Sequence, residues 1–223
     1  AALLNNMAFS YDGICWKEGG LYMPFTGAGS YVRSIAWSPI LKIWVIVGTS
    51  STATTNIAQA AYSYDGFTWI SCIFSGTISS STAFYGVSWG EDKFIICGNT
   101  SSKLYYSTNG KSFTASSSTP FTTAAISAAY NGTTWIAVGC GNATATQSIA
   151  LSSDGITWTL NTNGSVSNPN TVLWGGLAWN GNGTWVVCGA AIAGATQGVY
   201  YSTNDGIPWT ASTTSILQGC TSV

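Results

Sequence analysis

One short turn, repeated five times, constrains this chain more than any other feature. Ser10-Tyr11-Asp12-Gly13, Ser63-Tyr64-Asp65-Gly66, Ser107-Thr108-Asn109-Gly110, Ser152-Ser153-Asp154-Gly155 and Ser202-Thr203-Asn204-Asp205-Gly206 share one pattern, with an extra residue in the last. An aromatic stands three residues after each Gly: Trp16, Trp69, Phe113, Trp158 and Trp209. A large apolar residue precedes each Ser: Phe9, Tyr62, Tyr106, Leu151 and Tyr201. The glycines step by 53, 44, 45 and 51 residues, close to the period of one four-stranded repeat unit.

A second motif recurs between the turns. An aromatic opens a short apolar run that reaches a Gly four residues later, as in Trp44 to Gly48, Phe94 to Gly98, Trp135 to Gly139 and Trp185 to Gly189. Another aromatic lies just upstream of each: Trp37, Trp89, Tyr130 and Trp179. The runs are short, aromatic and β-branched, which suits half-buried strands. Asp-Gly and Asn-Gly supply the positive φ angles of a tight hairpin. No long window has helical periodicity.

Each repeat therefore reads as four strands, a to d. In the first full repeat they fall near Tyr31–Ser38, Ile43–Gly48, Ala60–Tyr64 and Phe67–Phe74. The reading is an all-β, five-bladed β-propeller of four-stranded antiparallel blades in one domain. The blades span about 31–74, 84–116, 124–160 and 172–212, with a fifth shared by 215–223 and 1–18. In the shared blade Ala1–Leu4 is strand b, Met7–Ser10 and Ile14–Glu18 are c and d, and Ser215–Val223 is a. Such a blade closes the ring and removes exposed sheet edges; an open arc, or a blade completed by a neighbouring subunit, is the alternative.

The turn resembles the Asp-box, or BNR, repeat of sialidase-like and many other secreted β-propellers, whose pattern is Ser-x-Asp-x-Gly-x-x-Trp. Ser202 to Trp209 has that spacing, with Asn204 at the Asp position. The other four turns are one residue shorter and look like the variant of repetitive bacterial and phage propellers. The resemblance implies that Asp12, Asp65, Asn109 and Asp154 cap their own turns. It also implies that Trp16, Trp69 and Trp158, with Phe113 and Trp209 at the same position, pack as blade core.

The chemistry inventory points away from an enzyme. Sialidases hold a carboxylate with three arginines, and this chain has only Arg33. It has no His, which removes Ser-His and Cys-His nucleophile systems and most catalytic metal sites. A glycosidase needs two facing carboxylates. Asp12, Asp65, Asp154 and Asp205 belong to the turns, which leaves Glu18, Glu91 and Asp92, the last two in an a–b turn. One carboxylate per distant turn is a poor calcium cage. No catalytic residue, cofactor or metal site is expected.

Composition shapes the functional reading. Charged residues make up 6% of the chain against a usual value of about 25%. A net charge of -1 gives no basic footprint for nucleic acid or a membrane surface. No apolar run is long enough to span a bilayer, and no signal peptide is visible. A nearly uncharged surface resists aggregation poorly, and a glycan coat or burial in an assembly remedies that. The sequons Asn99, Asn131, Asn142, Asn163 and Asn182 all fall in predicted loops. Cys15, Cys72, Cys97, Cys140, Cys188 and Cys220 are candidates for disulfides, with fifteen full pairings open. Cys97 and Cys188, each just before a strand-b Gly, also suit small buried apolar positions.

The expectation is a secreted, non-enzymatic, glycosylated structural subunit that assembles with copies of itself into a filament, coat or surface layer. The alternative is a carbohydrate-binding propeller, with Tyr11 and Tyr64 as its candidate aromatics.

Overall fold

The computed structural model describes residues 8–18, 25, 30–49, 59–76, 78, 82–100, 102–118, 120–140, 149–161, 171–172, 175–191 and 199–212. Every regular element among them is a strand. A first hairpin pairs β1 (Ala8–Phe9) with β2 (Lys17–Glu18). Four antiparallel four-stranded units follow. The first sheet holds β3 (Tyr31–Ser38), β4 (Ile43–Thr49), β5 (Ala60–Ser63) and β6 (Ile70–Ser71). After a short strand β7 (Ile73–Phe74), the second holds β8 (Phe84–Gly90), β9 (Lys93–Gly98), β10 (Leu104–Ser107) and β11 (Ser112–Ala115).

The third sheet holds β12 (Ala124–Tyr130), β13 (Trp135–Cys140), β14 (Ile149–Ser152) and β15 (Thr159–Leu160). In the fourth, β16 (Thr171–Val172) precedes β17 (Leu177–Trp179) and β18 (Trp185–Cys188). There β19 (Ala190–Ala191) pairs back onto β16, and β20 (Val199–Ser202) and β21 (Thr210–Ala211) complete the sheet. The a strands β3, β8, β12 and β17 pack side by side in chain order. Strands 1–4 and 215–223 of the expected shared blade lie outside the described residues.

The periodic aromatics have one structural cause. Trp37 faces Trp44 across the a–b ladder, and Trp89–Phe94, Tyr130–Trp135 and Trp179–Trp185 occupy the same register. Their ring centroids are 4.7–5.0 Å apart, so each a–b turn is held shut by an aromatic pair.

The strand-b glycines have another. In the first three sheets strand a carries a β-bulge, between Val32 and Ser34, Phe84 and Gly86, and Ala125 and Ser127. The bulge presses backbone onto the facing strand. A Cβ on Gly48 would lie 2.1 Å from the Tyr31 carbonyl oxygen, and one on Gly139 would lie 2.3 Å from that of Ala124. Only Gly fits such an approach.

Two local expectations are corrected. The expected single strand d at Phe67–Phe74 is two pieces: β6 pairs within its sheet, whereas β7 runs parallel to β11 of the next. The turns are also not two-residue hairpins. Partners Tyr62↔Ile70, Tyr106↔Thr114 and Leu151↔Thr159 enclose seven residues each, and Tyr201↔Thr210 encloses eight. In the seven-residue turns Gly13, Gly66, Gly110 and Gly155 have positive φ and their Asp or Asn neighbours do not.

Candidate binding surfaces

The connection between strands c and d is built by its own side chains. Ser63 Oγ accepts from the backbone N–H groups of Asp65 and Gly66, at 3.3 and 2.8 Å, and donates to Asp65 Oδ1 at 2.9 Å. Asp65 Oδ1 in turn accepts from Phe67 and Thr68 N–H, both at 2.8 Å. The same five bonds recur around Ser10 and Asp12, Ser107 and Asn109, and Ser152 and Asp154. Backbone donors from Cys15 and Ile14 hold the Asp12 carboxyl down to about 2, and those from Thr68 and Phe67 do the same for Asp65. At Asp154 burial opposes ionisation, and the bonds from Thr157, Ile156 and Ser152 outweigh it, so its pKa is lowered too. Asn109 makes the same contacts without charge. In the fourth sheet the inserted residue changes the turn: Asn204 N–H reaches Ser202 Oγ at 3.4 Å, Asp205 and Gly206 both have positive φ, and Ile207–Pro208 is cis.

These turns also join the sheets. The turn aromatic of one sheet packs on strands b and c of the sheet before it. Phe113 lies among Ile43, Val45, Val47 and Ala60; Trp158 among Ile95, Cys97 and Leu104; Trp209 among Ile136, Val138 and Ile149. Trp69 is buried with Phe25, Ile46 and Ala61. The turn glycines Gly66, Gly110, Gly155 and Gly206 each offer a carbonyl that finds a donor. Where the aromatic is Trp in a seven-residue turn, its indole N–H serves: Trp69 to Gly66 and Trp158 to Gly155, each 3.2 Å. Phe113 has no N–H, and Cys72 Sγ of the preceding sheet reaches Gly110 O at 3.5 Å instead. Trp209 also stands three residues after its Gly, but in the eight-residue turn its indole N–H makes no such bond and Asn161 Nδ2 takes Gly206 O at 2.8 Å.

Trp16 departs from the expected core position. It is 64% exposed. Tyr11 and Ile14 on the same hairpin are exposed as well. Val186 and Val199 of the fourth sheet are half-buried, although Val45, Ile95, Ile136 and Ala60, Leu104, Ile149 at the matching positions are buried. Tyr201 beside them is 40% exposed.

The cysteines divide. Cys15, Cys72 and Cys97 are free, which corrects their candidacy for disulfides. Burial explains two of them: Cys72 and Cys97 are sealed in the sheet-to-sheet core, which pushes both thiols up. Cys188 is disulfide-bonded rather than merely a small buried residue. The Cys140 side chain and Cys220 lie outside the described residues.

Among the sequons, Asn99 and Asn182 are exposed. Asn131 is engaged: its Nδ2 donates to Asp205 Oδ1 of the next sheet at 2.7 Å, and its Oδ1 accepts from Thr133 and Thr134 N–H. Asn142 and Asn163 lie outside the described residues.

Charge is distributed unevenly between the two ends of the sheets. Asp12, Asp65, Asp154 and Asp205 are in c–d turns, and Glu91 and Asp92 in an a–b turn, all at one end. The buried Lys93 ammonium bridges Glu91 and Asp92 at 2.6 Å each, against its own desolvation. At the opposite end, where strands b lead into c, stand Arg33 and Lys103. Arg33 is the extra residue of the β3 bulge, and Tyr85 is that of β8. The guanidinium lies 4.7 Å from the Tyr31 ring centroid and 4.8 Å from that of Tyr85. Its Nε donates to Thr49 Oγ1 at 3.2 Å and Nη2 to the Tyr31 hydroxyl. In the sequence this arginine stands alone where a sialidase needs three, and the a-strand bulge that pairs it with two tyrosines leaves no signal beyond the strand-b Gly.

Comparison with solved structures settles the architecture. The chain is similar to the β-propeller YCF48, solved bound to a D1 peptide, with a TM-score of 0.54 and 14% identity over 86% of this chain. It has the β-propeller fold. The sheets are therefore blades, and the side-by-side a strands are their inner strands. The chain spans 58% of the length of that neighbour. No protein-family model and no curated protein matches it.

Proposed function

We propose that this chain is a non-enzymatic, extracellular, glycosylated β-propeller that serves as a structural subunit, associating with copies of itself in a filament, coat or surface layer. The observation that supports the reading is the run of exposed large apolar side chains at Tyr64, Phe67, Ile70 and Ile73. Among the described residues Tyr11, Ile14 and Trp16 of the first hairpin and Tyr31, Ile35, Ile40 and Tyr201 are exposed as well. Exposed apolar patches of this kind mark interaction surfaces. A chain with six basic and seven acidic residues has little charge with which to keep such patches apart.

The turns fit the Asp-box reading, with Ser and Asp side chains replacing backbone partners. Five blades is the count the packing supports. Among the described residues, blade four presents Val186, Val199 and Tyr201 without the covering aromatic that the other three faces have, and Trp16 is the one turn aromatic left exposed. Seating the first hairpin there closes the ring within one chain and leaves Tyr64, Phe67, Ile70 and Ile73 for contact between copies. Asn99 and Asn182 are the proposed glycan acceptors. Asn131 is not, because its amide nitrogen already joins blades three and four.

A second reading, carbohydrate binding, rests on Tyr11 and Tyr64, which are 87% and 57% exposed. Lys111 Nζ lies 5.4 Å from the Tyr64 ring centroid and supplies a polar neighbour. Electron microscopy of the purified protein, with an Ile70→Lys, Ile73→Lys double variant, separates the two. Ordered polymers lost in the variant support assembly. A dispersed monomer that binds a glycan array through Tyr64 supports the second reading and overturns the first.

A further inference from the structure

We infer that Arg33, held between Tyr31 and Tyr85 at the b–c end of the propeller, is a binding site for a small carboxylate ligand. Nothing in the proposed assembly surface uses this group, which lies at the opposite end of the blades from the Tyr64 turn. Four observations carry the inference. Arg33 is exposed, yet its position is fixed: two tyrosine rings flank the guanidinium, and Thr49 and the Tyr31 hydroxyl take Nε and Nη2. Ordering of this kind is paid for on folding, so a ligand meets a rigid fork.

Nη1 keeps both its donors without a partner among the described residues, and a charged N–H donor there fits an oxygen of a carboxylate. No described acidic side chain competes, because Asp12, Asp65, Glu91, Asp92, Asp154 and Asp205 all occupy the other end. Tyr31, 41% exposed, adds a flat face and a hydroxyl beside the fork. An aromatic face, a hydroxyl and a cation suit either an acidic sugar or an acidic amino-acid side chain, and the carboxylate is what they share.

The test is calorimetric titration of the full chain at low salt with sodium glucuronate, with N-acetylglutamate amide and with glucose as the neutral control. Binding of either carboxylate, but not of glucose, is expected, weakened about tenfold or more by Arg33→Ala and partly retained in Arg33→Lys. Glucuronate alone assigns the site to acidic sugars, and the glutamate derivative alone assigns it to acidic peptides. Unchanged thermal unfolding of both variants keeps the loss attributable to the site. Affinity must also fall as the ligand carboxylate is protonated. Absence of carboxylate binding in the wild-type chain, or equal binding by Arg33→Ala, overturns the inference.

Discussion

Replacing Gly66 and Gly110 separately with Ala distinguishes the backbone demand of a turn from the packing between blades. Both residues have left-handed φ, +77° and +67°. A Cβ in that region costs roughly 1–2 kcal/mol at either position. At Gly66 the new Cβ meets nothing within 4 Å. At Gly110 it comes 2.5 Å from Ile43 Cδ1 of the previous blade and 2.9 Å from Phe94 Cε2. Both neighbours are fully buried and cannot swing away. Overpacking of that kind adds about 1–3 kcal/mol. Gly66→Ala is therefore expected to cost ~1–2 kcal/mol and Gly110→Ala ~2–5 kcal/mol. Urea unfolding followed by tryptophan emission reads the difference as a shift of midpoint at unchanged slope. Equal losses for the two variants would refute the view that the turn glycines are contact points between blades.

Three further outcomes follow from the turns, the thiols and the blade contacts. The carboxyls of Asp12 and Asp65 have folded pKa values near 2 against 3.8 when free, so their contribution is complete above the free value and is lost as pH falls from about 4 towards 2. Asp65→Asn, copying Asn109, should flatten the acid limb of the urea midpoint with little loss at neutral pH. Among the free thiols, Cys15 should react with a thiol reagent in the native protein, whereas Cys72 and Cys97 should react only on unfolding; Cys15→Ser should abolish their difference in timing by removing the fast phase. Asp205→Ala should free the Asn131 amide and cost about 0.5–1 kcal/mol in the same urea assay, since the bond is exposed.

Much of the fold was legible because its devices are local and repeat. The Ser–Asp–Gly turn and the cross-strand pair Trp37–Trp44 with its three counterparts are each dictated by residues a few positions apart, and the close approach at Gly48 lies within one a–b hairpin. What was not legible depends on neighbouring blades. Nothing near Ile73 announces that β7 leaves its own sheet for β11, and nothing near Cys72 shows that its thiol stands in for the indole N–H that Phe113 lacks. The sequence motif places Trp16 with the core aromatics, but burial needs a partner face, and the structure leaves this one exposed. Asn131 reads as a sequon, yet its amide is committed to Asp205, 74 positions away. Arg33 acquires meaning only when two bulges bring it over Tyr85.

The proposed molecule is a closed five-bladed propeller that assembles through the side bearing Tyr64, Ile70 and Ile73. A cryo-electron-microscopy map of the purified protein at high concentration is the decisive test. Five blades per subunit, Trp16 seated on Val186, Val199 and Tyr201, and repeated contacts between copies at the 64–73 edge are expected. Dispersed particles with the 64–73 edge facing solvent would contradict it.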